Sequence, residues 1–119
     1  MITLRSSRLR VELAEPGEAP NQTFRFDRAG FITEVILDGA MRFCASEPRN
    51  LCHPSSGGRG LCNEFTFDVS EEAPLGEYFP KFGVGLLRRY HEGRYRIFYP
   101  YKDVQFFPVS FQAETDTVR

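Results

Sequence analysis

Tryptophan is absent from this chain of 119 residues, histidine occurs twice and cysteine three times. The cysteines, Cys44, Cys52 and Cys62, are odd in number and irregular in spacing, with no C-x-x-C pair. That pattern fits neither a disulfide framework nor a standard zinc site. Cys52-His53 supplies two adjacent metal ligands without a third or fourth, so no metal is expected and the thiols read as small, reduced core residues. The two histidines, His53 and His91, lack a serine or cysteine with an acid at any spacing that marks a triad. A Cys52 nucleophile with His91 is the nearest such pairing. No excess of either charge sign exists: 15 Lys plus Arg against 16 Asp plus Glu leave a net charge of −1. A nucleic-acid module ordinarily carries a clear basic excess, so none is expected as a partner. No apolar run approaches the ~18 residues of a membrane helix. The start of the chain, Met1-Ile2-Thr3-Leu4-Arg5, is charged where a signal peptide has its apolar stretch. These absences point to a cytoplasmic protein without a membrane partner.

Aromatic residues are what the chain has in excess, with 12 Phe and 5 Tyr. Such residues favour strands and fill cores. A platform that stacks sugar rings or bases is their functional use, and the lack of tryptophan weighs against it.

The hydrophobic pattern has the two-residue period of strands. Arg8 to Leu13 alternates without a fault and places Leu9, Val11 and Leu13 on one face. Thr23 to Asp27 alternates again, and Asp27-Arg28-Ala29-Gly30 has tight-turn composition. Phe31 to Leu37 is rich in β-branched residues, and Asp38-Gly39 is a strong two-residue hairpin signal. Met41 to Cys44 returns. Residues 45–61 lose the pattern and read as a long loop, with Ser55-Ser56-Gly57-Gly58-Arg59-Gly60 at its end. That Gly-rich end lacks the Gly-Lys-Ser/Thr of a phosphate loop, and no cofactor is expected. Cys62 to Val69 reads as a strand whose apolar row, Phe65, Phe67 and Val69, begins with the polar Asn63. Residues 70–82 read as a second loop. Gly83 to Tyr90, Tyr95 to Tyr101 and Val104 to Glu114 complete about eight strands of an antiparallel all-β protein in one domain, residues 1–119. Arg88, Arg89, Arg94 and Arg96 alternate with Tyr90, Tyr95 and Tyr99 in a basic aromatic hairpin. It is either a solvated face or a surface for single-stranded RNA.

Three stretches together carry a family resemblance. They are Gly30-Phe31-Ile32-Thr33-Glu34-Val35-Ile36-Leu37-Asp38-Gly39, Gly60-Leu61-Cys62-Asn63-Glu64-Phe65 and Phe79-Pro80-Lys81-Phe82-Gly83-Val84-Gly85-Leu86-Leu87. In order and spacing they resemble the N-terminal part of galactose mutarotase-like proteins, in an uncharacterised bacterial branch of aldose 1-epimerase-like proteins. The likeness spans roughly residues 8–113, and its most specific piece is the lysine-containing stretch before Gly83. It implies an antiparallel β-sandwich, part of a supersandwich that binds a small-molecule sugar in a cleft on one sheet face. Epimerases of the family interconvert sugar anomers with a carboxylate base and a histidine acid. Those residues lie in later parts of the fold, so neither His53 nor His91 is carried over. The chain then corresponds to an N-terminal fragment of a longer supersandwich, expected to be inactive by itself. A non-catalytic carbohydrate-binding or structural β-module is the alternative. Arg59, Asn63, Glu64 and Lys81 are the substrate-binding residues this resemblance implies. A sheet cut at Glu114 leaves an unpaired edge, which offers a route to self-association.

Overall fold

The computed structural model describes residues 1–18, 24–44, 60–65, 67–97 and 99–118. Seven strands are found among them, in two antiparallel sheets. The first sheet holds β1 (Ile2–Arg5), β2 (Leu9–Leu13), β3 (Ile32–Leu37) and β4 (Met41–Arg42) in the order β1-β2-β3-β4. The second holds β5 (Tyr78–Lys81), β6 (Gly85–Arg88) and β7 (Gln105–Phe106) in the order β5-β6-β7. A single 3-10 turn, Ser70–Glu72, is the one helical element among the described residues. The chain is therefore all-β and antiparallel. None of its described helices is long and apolar enough to cross a membrane.

The first sheet is a meander because each connection is short and chemically suited to reversal. The Ser6 hydroxyl accepts the Leu9 amide at 3.1 Å and closes the β1–β2 turn. Between β3 and β4, Asp38 and Gly39 have φ of 51° and 74°. Two successive positive values match the right-handed twist of the flanking strands, which is why Asp-Gly favours this turn. Register then sets the buried face. Leu13 pairs with Ile2 on one side and Ile32 on the other, and Leu13, Ala14, Phe31 and Ile36 are buried. Glu34 shares the parity of Ile32 and Ile36 and is only 1% exposed. Its carboxylate accepts from the Val35 and Cys44 amides at 3.1 and 3.2 Å and pairs with Arg42 at 3.1 Å. A buried carboxylate persists only with such partners.

The second sheet has its own core: Phe24, Phe79, Val84, Leu87 and Tyr101. Phe79 stands opposite Leu87 in the β5–β6 register. Segment 24–31 ties the two sheets together. Ala14 N–H donates to Phe31 C=O at 2.8 Å on one side, and Arg28 N–H to Gly83 C=O at 2.9 Å on the other.

Several expected strands are not strands. Phe24 to Asp27 bends: the Asp27 amide meets the Asn63 carbonyl and the next amide, Arg28, meets that of Gly83, without a ladder. The described residues of 62–69 form no strand, and the bridge to the first sheet lies just before them, where Leu61 pairs with Ile32. Tyr95 to Tyr101 turns back on itself, with Tyr99 N–H on Arg96 C=O at 3.2 Å and Tyr101 N–H on Tyr99 C=O at 2.9 Å. Its alternation serves a ring cluster instead of a sheet face. Tyr95 stacks on Tyr101 at 5.6 Å, and Tyr99 meets Tyr101 at 4.8 Å. Of residues 104–114 only Gln105–Phe106 pair into a sheet. Conversely, the expected loop at 70–82 contains the 3-10 turn and β5, and Ile2–Arg5 forms an unforeseen edge strand. The expected loop at 45–61 lies, up to Arg59, outside the described residues.

Candidate functional site

Strand β5 explains why a charged residue is buried. Its exposure alternates, with Phe79 and Lys81 on the inner face and Tyr78 and Pro80 half-exposed. Pro80 is tolerated because β5 is an edge strand, where a missing N–H breaks no ladder. Lys81 therefore follows Phe79 inward and is 5% exposed. Its Nζ donates to Phe65 C=O at 2.6 Å and lies 5.2 Å from the centre of the Tyr95 ring. Burial holds the amine below the ordinary lysine range, partly offset by the Glu64 and Asp68 carboxylates, with Arg25 adding to the lowering.

Around this amine the chain brings acids and rings. Arg25 grips Glu64 with two bonds, Nε to Oε1 at 2.8 Å and Nη2 to Oε2 at 3.1 Å. That fork holds the Glu64 carboxylate in a fixed plane. Asp68 Oδ1 accepts the Ser70 amide at 2.8 Å. Burial pushes the Asp68 carboxyl up, but its hydrogen bonds from Ser70 outweigh this and it is held below its ordinary range. The Ser70 hydroxyl in turn accepts the Tyr95 amide at 2.8 Å. The Tyr95 hydroxyl donates to Phe24 C=O at 3.3 Å, and burial pushes its phenol far up, so it stays protonated.

These groups line a pocket of about 210 Å³. Its wall is apolar at Phe65, Phe67, Phe79, Pro80, Tyr95 and Ile97. Three charged side chains, Glu64, Asp68 and Lys81, complete it. Phe67 at the rim is 63% exposed and stacks on Phe82 at 5.3 Å with 7° between the planes.

Of the residues anticipated from sequence, Glu64 and Lys81 thus meet in one pocket. Asn63 is exposed and does not line it; its carbonyl accepts the Asp27 amide at 2.8 Å. Arg59, Cys52 and His53 lie outside the described residues. Arg25, Asp68 and Tyr95 were not anticipated. The Asp-x-Ser spacing of Asp68 and Ser70 is a local turn signal, whereas nothing local marks Arg25 as the partner of Glu64, 39 positions away.

His91 belongs to another cluster. Its Nδ1 lies 2.9 Å from Glu92 C=O, which can only accept, so Nδ1 carries the proton. Its Nε2 lies 3.0 Å from the Tyr101 hydroxyl. The basic aromatic segment spends its charge internally. Arg88 donates to Gly76 C=O at 2.7 Å, Arg89 to Ala73 C=O at 2.5 Å, and Arg94 pairs with Glu71 at 3.3 Å. Among the described residues no three His, Cys, Asp or Glu side chains gather in a way that could hold a metal ion.

Lys81 makes stability depend on pH in a direction that can be stated. At pH below its lowered pKa the amine is charged in the folded and unfolded chain alike, and the full cost of burying that charge is present. Between that pKa and the ordinary lysine value the unfolded chain binds more protons, so stability rises with pH. Urea denaturation across neutral to alkaline pH is expected to show this rise, and Lys81→Met is expected to remove it. An identical pH profile for the two proteins would refute the assignment.

No family model, curated protein or solved structure matches the chain.

Proposed function

We propose that this protein binds a small carbohydrate in the pocket of Glu64, Asp68, Lys81 and Tyr95, as a cytoplasmic β-sandwich module of the aldose 1-epimerase type. The observation that carries this reading is the make-up of the pocket, aromatic along its walls and charged at three points. A sugar ring presents C–H faces that pack on aromatic rings and hydroxyls that both donate and accept. Carboxylates and an ammonium answer those hydroxyls. The substrate-binding set is Arg59, Asn63, Glu64 and Lys81, of which Glu64 and Lys81 border the pocket.

Binding without catalysis is the form the geometry favours. Anomer interconversion by general acid–base chemistry needs a proton donor at the ring oxygen opposite the base. The pocket has carboxylates, but among the described residues no histidine lines it, and His91 lies beside Tyr101 and Glu92. Polarimetry on fresh α-glucose or α-galactose is expected to show no acceleration over buffer.

Calorimetric titration with galactose, glucose and their methyl glycosides tests the binding itself. Phe67→Ala removes an exposed ring and spares the fold; affinity is expected to fall about tenfold, the size of an aromatic contact of roughly 1–1.5 kcal/mol. Glu64→Gln replaces a charged acceptor by a neutral one and is expected to cost about 1–3 kcal/mol of binding. Absence of heat with every sugar, for a folded protein, would sink the proposal.

A further inference from the structure

Of the 15 basic side chains of this protein only two are lysines, Lys81 and Lys102. One is exposed beside a turn, and the other is buried in the wall of the pocket. We propose that Lys81 is a carbonyl-reactive amine that condenses with the open-chain aldehyde of a reducing sugar held there, forming an imine. The inference rests on the sugar-pocket reading above.

The surroundings of Nζ carry it. Among the described residues the amine donates to Phe65 C=O and meets the Tyr95 ring face. Phe65 and Tyr95 both line the pocket, so the tip of the side chain lies in its wall. Among the described residues no carboxylate lies within ion-pair distance of Lys81: Glu64 is held by Arg25 and Asp68 accepts the Ser70 amide. An ammonium there loses its water and gains a carbonyl dipole, a ring face and a partial offset from the Glu64 and Asp68 carboxylates, so that burial still favours the free amine. With one N–H directed at Phe65, the lone pair is left for an electrophile. An arginine at this position could not serve, because its guanidinium does not deprotonate.

The step balances without a redox partner. The Nζ lone pair attacks the aldehyde carbon, and the carbonyl oxygen takes up a proton to give a carbinolamine. Nitrogen releases its protons as the hydroxyl leaves as water, and the C=N bond forms. Amine plus aldehyde gives imine plus water.

Lys102 is the internal control. The full chain is incubated at neutral pH with glycolaldehyde, which cannot close into a ring, and sodium cyanoborohydride, which reduces the imine. Peptide mass mapping then reads each lysine. Lys81 is expected to be labelled faster than Lys102 by about tenfold or more, the advantage a desolvated amine holds over an exposed one. Glucose is expected to label it as well, and methyl glucoside, which cannot open, to protect it. Lys81→Arg, shown folded by circular dichroism, is expected to lose the adduct while Lys102 keeps its own slow labelling. Labelling of Lys81 no faster than that of Lys102, with methyl glucoside binding intact, would overturn the inference and leave the sugar pocket standing. Fast labelling of Lys81 that no methyl glycoside slows would support the reactive amine and remove the sugar reading instead.

Discussion

Leu87→Ala is expected to destabilise the protein by about 2–5 kcal/mol, the range for deleting a fully buried leucine side chain. Leu87 is 0% exposed on β6 and lies in the cluster of Phe24, Phe79, Val84 and Tyr101. The cost has two parts, the lost transfer free energy of the removed atoms and the cavity left behind. Collapse into that cavity is hindered on several sides. Phe79 is fixed by the β5–β6 ladder, and Tyr101 is held edge-on by Phe79 and Phe24 and stacked on Tyr95. The upper part of the range therefore applies. In thermal unfolding the midpoint should fall by on the order of 10 °C for a domain of this size. The same substitution reaches the pocket, because Phe79 and Tyr95 line it. Affinity for the sugar proposed to bind there should fall together with stability. A midpoint within a degree or so of the parent would mean that this cluster is not the core of the second sheet.

Gly60→Ala is expected to cost roughly 2–5 kcal/mol by a different route, the sum of a left-handed backbone cost and a steric one. Gly60 has φ +96°, a region that side chains with a Cβ rarely occupy. A Cβ there would also collide with the backbone carbonyl of Ile32. That carbonyl accepts the Leu61 amide at 2.8 Å, and the Leu61 carbonyl accepts the Ile32 amide at 2.9 Å. These two bonds seat the segment carrying Glu64 and Phe65 against the first sheet. Gly93→Ala is the matched control. Gly93 has φ +82°, yet nothing lies within 4 Å of the Cβ it would gain. It should show only the conformational part, about 1–2 kcal/mol. Urea denaturation of both variants reads the difference directly. Equal losses for the two would show that the Gly60 approach to β3 is not a close one.

Local chemistry was legible in the sequence, and pairing was not. Arg8 to Leu13 alternates and Leu9–Leu13 does form β2, although burial there rises toward Leu13 and leaves Leu9 exposed. Asp38-Gly39 forms its hairpin because the turn requires two positive φ values and this dipeptide supplies them at low cost. Thr23–Asp27 and Tyr95–Tyr101 alternate as well as any true strand, yet neither joins a ladder. Alternation says which side chains share a face, whereas a strand also needs a neighbour at ladder spacing. For Phe24 and Tyr101 the buried face is a ring cluster built from distant segments. The same limit applies at the pocket. That Glu64 and Lys81 belong together came from a family resemblance, and the geometry brings them to one wall. By itself the sequence determined an all-β chain, its main reversals and its dependence on aromatic packing, because these follow from interactions between near neighbours. The tertiary structure alone decided that Lys81 is buried beside Tyr95, that Arg25 holds Glu64 and that Glu34 sits inside the first sheet. Each of those depends on which strand lies beside which, a choice made by burial summed over the whole chain.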